Sequence, residues 1–154
     1  MKTNLKLDMK TLYDQDFYQW ITLTVAQIKA KNFGEVDWEN LLEELESLGK
    51  QQQQELENSL IFLFEHLLKY GYWLSEKEYN ARGWKGTIRE QRKQIKRLLK
   101  KNPSLKPYLL EVLGECYEEA REITLEKTGL SAEIIPEEVM INKEQILDEN
   151  WFIE

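Results

Sequence analysis

Leucine, isoleucine and aromatic residues recur every three to four positions along most of this chain, and little interrupts them. Seven glycines and three prolines in 154 residues leave few points where a helix has to stop. No window shows the sustained apolar/polar alternation of a half-buried strand. A stripe at helical spacing occupies one side of a helix and has to be covered by another stripe. The pattern predicts an all-α fold: a single-domain bundle of about four to six helices over residues 1–154, with either one long helix or a coaxial helix pair. Apolar residues make up 42% of the chain, enough for a core and too many for a disordered tail.

Residues 1–12 read as a lead-in. Phe17, Ile21, Val25 and Ile28 mark the stripe of a first helix that Asp14 caps and that Asn32, Phe33 and Gly34 end. Asp37 caps a second, with Val36 placed to staple onto Leu41, and Leu41, Leu45 and Leu48 form its buried stripe. Leu56, Leu60, Leu63, Leu67 and Tyr70 continue the same phase, so 38–70 is one long helix or two that meet near Gly49, itself on the buried side. Gly71, Gly83 and Gly86 make 71–86 the longest irregular connection. A capping box of Thr87 and Glu90 then starts a helix lined by Ile88, Ile95, Leu98 and Leu99, which Asn102 and Pro103 stop. Ser104 caps the next, with Leu109, Val112, Cys116 and Ala120 inside and Gly129 at its end. Residues 130–154 read as a tail whose short helix Asn142 caps.

The single cysteine, Cys116, cannot form an internal bridge, and no His or Cys cluster has metal-ligand spacing, so neither a metal nor another cofactor is expected. The first thirteen residues lack the apolar run of a secretory signal, and the longest apolar run, Leu60 to Phe64, is far too short to span a membrane. A cytoplasmic protein is the expectation.

The chain also carries a set of short motifs in a fixed order. They are Tyr13-Asp14 with Phe17, Tyr18 and Trp20, then Asn40-Leu41 with Glu43-Glu44-Leu45-Glu46-Ser47-Leu48-Gly49, then His66-Leu67-Leu68-Lys69. Trp84, Thr87-Ile88-Arg89 and Gln91-Arg92 follow, then Pro103-Ser104-Leu105, Tyr117 with Ala120-Arg121, and Thr128-Gly129-Leu130. In these the chain resembles the bacterial domain-of-unknown-function family number twenty-nine. The resemblance implies an all-helical fold and no established activity. Where the family pattern carries a Cys-Pro pair after the proline-rich turn, this chain has Val139-Met140, so no role for that thiol transfers.

Few residues offer chemistry. Glu43, Glu44 and Glu46 form an acidic group, but consecutive helical residues point about 100° apart, so Glu43 and Glu44 do not converge. His66, the only histidine, lies at the edge of the apolar stripe, and the Glu-x-x-His pattern of carboxylate di-metal bundles fails because position 63 is Leu63. Gly83-Trp84-Lys85-Gly86 reads as glycines that let Trp84 tuck into the core. Charge is the most unusual feature. Arg82 to Lys106 holds ten basic residues and one acid, a balance of +9, which leaves −16 for the rest of a chain whose total is −7. Arg89, Arg92, Lys93, Lys96, Arg97 and Lys100 fall opposite the stripe of their helix and form a basic face.

These features predict a non-enzymatic protein-interaction domain that uses the basic helix at about 87–101 and the acidic helix at about 38–48, Glu43 and Glu46 included. Its partner is another copy of the chain or another protein with an acidic surface. Two alternatives stay open: a small hydrolase-type enzyme with Glu43, Glu44, His66 and Arg89 or Arg92 in one cleft, and a nucleic-acid accessory protein, which the net acidity disfavours.

Overall fold

The computed structural model describes residues 2–154, with side chains from Met9 onward. The described residues form six α-helices and two 3-10 turns and contain no strand. The helices are α1 (Lys2–Gln15), α2 (Phe17–Lys29), α3 (Trp38–Tyr72), α4 (Leu74–Lys101), α5 (Lys106–Thr128) and α6 (Lys143–Leu147). Backbone contacts gather them into two compact units, Met1–Lys50 and Gln51–Glu154.

In the first unit the segment read as a lead-in is helical, and Asp16 rather than Asp14 divides it from α2. The Asp16 backbone leaves helical geometry, and its carboxylate accepts the Gln19 N–H at 3.1 Å, an N-cap immediately before Phe17. Lys31, at φ 61°, makes the left-handed exit from α2 that glycine usually provides. At the start of α3 the Asp37 carboxylate faces the Asn40 N–H at 3.5 Å and accepts the Asn40 amide at 2.6 Å and the Trp20 indole N–H at 3.3 Å. These bonds account for burying an acid beside Val36 and Trp20.

Residues 38–70 form one continuous helix, because nothing at Gly49 obliges the chain to turn: a Cβ there would meet no neighbour. Gly49 is exposed, not buried as the phase suggested. The supposed irregular connection at 71–86 is also helix. The break is the single residue Trp73, and α4 starts at Leu74 and runs through Gly83, Gly86 and Thr87, so the expected capping box is not used. Glycine in a helix interior costs about 1 kcal/mol against alanine. Stacking of Trp73 on Trp84, with centroids 5.8 Å apart, and burial of Ile88 oppose that cost.

The second unit has the core. Leu56, Leu60, Leu63 and Leu67 of α3 meet Ile88, Ile95 and Leu99 of α4 and Leu109, Val112 and Ala120 of α5. A 3-10 turn at Pro103–Leu105 leads into α5, and the Ser104 side chain makes no cap. Gly129, at φ 70°, ends α5 with its N–H on the Leu125 carbonyl. The tail then folds back, and Ile135, Ile141 and Ile146 cover the core. Asn142 and Gln145 form a full capping box at α6. Gly71 allows the tail to close, because a Cβ there would overlap the Ile153 side chain.

No described helix is long and apolar enough to cross a membrane.

Candidate functional site

The stripes of the first unit remain open. Phe17, Ile21 and Val25 of α2 and Leu45 and Leu48 of α3 are exposed, Leu45 and Leu48 at 55% each, although the periodicity placed them inside. The spacing was right, but no described residue covers these side chains. Between α2 and the first turns of α3 lies a groove of about 300 Å³ whose lining is almost wholly apolar, with Trp20 and Ile28 in its floor and Glu44 at its edge. The Tyr13 hydroxyl donates to the Glu44 carboxylate. That bond, with burial and nearby acids, raises the Tyr13 pKa to about 12, so the phenol stays a donor. Tyr13 also meets Trp20 edge-on at 4.9 Å, and Phe17 stacks on Trp20 at 5.8 Å, which fixes the aromatic end of the groove. Glu43 and Glu46 are exposed on the same stretch of α3.

In the second unit His66 and Arg92 have separate partners and do not share a cleft. The His66 Nδ1 donates to the Phe62 carbonyl at 2.8 Å, and burial holds its pKa below the ordinary histidine value. Beside it, buried Glu65 is paired with Lys69 at 3.0 Å and with Lys127 at 3.1 Å. Burial pushes the Glu65 pKa up, but the hydrogen bonds and charges of the two lysines outweigh it and hold the carboxyl below its usual range. Part of this cluster was visible in the sequence, since Glu65 and Lys69 are an i, i+4 pair. Lys127 is 62 residues away from Glu65 and leaves no local signal.

Arg92 is fully buried and therefore not part of the exposed basic face. Its Nε donates to the Ile146 carbonyl at 2.9 Å, and its Nη2 donates to the carbonyls of Gln145 (3.0 Å) and Trp151 (2.7 Å). The guanidinium thus holds the end of α6 and the turn after it, where the helix dipole favours a cation. The sequence did carry this signal: position 92 lies four residues after Ile88 and three before Ile95, on the apolar side. Arg121 acts similarly on the tail, donating to Ile135 and Ala132 carbonyls, and the Tyr117 hydroxyl donates to Pro136. Arg89, Lys93, Lys96, Arg97 and Lys100 are exposed, and Lys96 is 3.4 Å from Glu149.

Two further groups are chemically quiet. Burial pushes the Cys116 thiol up to about 12, so it is an apolar core residue rather than a nucleophile. Among the described residues no group of three or more His, Cys, Asp or Glu side chains could hold a metal ion.

No curated protein and no solved structure matches the chain. A family model does, over residues 12–152, nearly the whole length and including the groove, the buried Glu65 cluster and the Arg92 clamp. The chain belongs to the family described as Domain of unknown function DUF29.

Proposed function

We propose that the chain is a non-catalytic protein-interaction domain whose docking surface is the open apolar face shared by α2 and the first turns of α3. One observation carries this reading. Five exposed large apolar side chains, Phe17, Ile21, Val25, Leu45 and Leu48, line one groove. Isolated exposed leucines are ordinary, but a contiguous apolar face between two helices marks a surface that another chain covers. Glu43 and Glu46, exposed on α3 away from the groove lining, and separately Arg89, Lys93, Arg97 and Lys100, exposed on α4, are charged surfaces that steer a partner's approach.

Affinity capture with the whole chain tests this. A protein retained by the parent chain should be lost from the Leu45→Glu variant and kept by Tyr79→Glu, which alters an exposed aromatic outside the face. A captured set that Leu45→Glu leaves unchanged would contradict the reading.

A further inference from the structure

We infer that the chain associates with a second copy of itself through two charged helix faces of the second unit, the basic face of α4 on one copy meeting an acidic face of α5 on the other. The contact is a second surface and does not use the apolar groove. At about 100° per residue, Arg82, Lys85, Arg89, Lys93, Arg97 and Lys100 fall within an arc of about 120° on α4, and Lys96 shares it. All are exposed, and the one other residue of that arc between Arg82 and Lys100 is Gly86. On α5, Glu111, Glu115, Glu118, Glu119, Glu122 and Glu126 fall within an arc of about 100°, and no other residue between Glu111 and Glu126 shares it. These six are exposed as well. The faces also match in length, about 27 Å and about 22 Å at roughly 1.5 Å rise per residue.

Both faces belong to one compact unit, yet no ion pair joins them. Among the described residues, Lys96 with Glu149 at 3.4 Å is the one ion pair that either face makes. Arg97 shares a cleft with Glu55 of α3 but stays outside ion-pair distance. Like charges at i, i+3 and i, i+4 repel along each helix, and an opposite face relieves both helices at once. Gly86 adds a geometric observation. A Cβ there would meet nothing within 4 Å inside the chain, so its absence serves no internal contact and lets an opposing helix come closer to α4. Charge then selects the occupant. A nucleic acid would answer the α4 face alone and would meet six carboxylates on the same unit and a net charge of −7. A partner with only an acidic surface would leave the α5 face unanswered. A second copy supplies what both faces lack.

The test uses the whole chain. Sedimentation velocity should show mass above the monomer at about 0.03 M salt and a monomer at about 0.5 M, where the charges are screened. Arg89→Glu with Lys93→Glu, and separately Glu115→Lys with Glu122→Lys, should each be monomeric at low salt. Mixed one to one, the two variants should associate at least about tenfold more tightly than either does alone, because the first keeps the acidic face and the second the basic one. Circular dichroism of each should match the parent, since all four positions are exposed. A parent chain that is monomeric at low salt, a reversed variant that still associates alone, or a mixture that does not associate overturns the inference. So does duplex DNA bound by a monomeric parent and released by Arg89→Glu with Lys93→Glu, which would make the occupant of α4 a nucleic acid. Leu45→Glu separates this contact from the groove and should leave the association intact. If it dissolves the association, the contact lies on the apolar face, and the charged faces fall while the docking surface proposed above stands.

Discussion

The two parts of α3 carry the same apolar stripe to opposite ends. Leu56, Leu60, Leu63 and Leu67 in the second unit are completely buried, whereas Leu45 and Leu48, one and two turns into the same phase in the first unit, are more than half exposed. Periodicity reports which side of a helix is apolar and says nothing about whether this chain supplies the cover. In the second unit α4, α5 and the tail supply it. In the first, Met9, Trp20 and Val36 are the buried apolar residues described, and the remaining apolar surface faces outward.

The sharpest way to break this contrast is to cut leucines in both places. Leu63→Ala should cost about 2–5 kcal/mol of unfolding free energy, because it removes buried methyl groups and leaves a cavity. Leu45→Ala should change stability by roughly 0.5 kcal/mol or less, as for other exposed positions. Equal losses in denaturant titrations would mean that the two stretches are packed alike.

Arg92→Ala should cost about 3 kcal/mol, since three carbonyls lose a charge-assisted donor and the tail loses its anchor. Arg92→Lys should recover little of that, because an ammonium cannot span the three acceptors. Limited proteolysis should then cleave the segment from 130 onward before the helical core, and a cleavage pattern identical to the parent's would contradict the clamp.

A smaller effect concerns pH. The His66 pKa is depressed in the fold, so the unfolded chain binds the proton first and the contribution of neutral His66 is lost as pH falls below about 6.5. Glu65 is depressed too, and its share is lost at lower pH, below its ordinary value of 4.5. His66→Gln should flatten the stability profile just below pH 6.5 and leave the loss below 4.5, while Glu65→Gln should act in the lower window only. A slope just below pH 6.5 that survives His66→Gln would assign it elsewhere. The smallest change is expected at Lys31, where Lys31→Gly should stabilise by up to about 1 kcal/mol by relieving the left-handed backbone. A lower thermal midpoint would show that the lysine side chain outweighs that strain.

Much of this architecture was legible from residues alone. The α3 phase, the Asn142 cap and the Gly129 terminus are local, and local signals survive in sequence. The expected loop at 71–86 failed because Gly83 and Gly86 weigh as breakers only where nothing distant compensates, and the Trp73–Trp84 stack does. Arg92 was assigned to the basic face by its charge when its phase put it inside. The groove could not be read, since the same spacing serves covered and uncovered stripes.

Thiol labelling gives the most direct test. Cys116 is buried and protonated, so it is silent towards a thiol reagent while the chain is folded, and a Leu45→Cys variant places one reporter on the open face. The account predicts that the new thiol of the folded chain reacts at close to the rate of an unstructured peptide. Labelling that waits for global unfolding would show the face to be covered by the chain itself and would contradict the account.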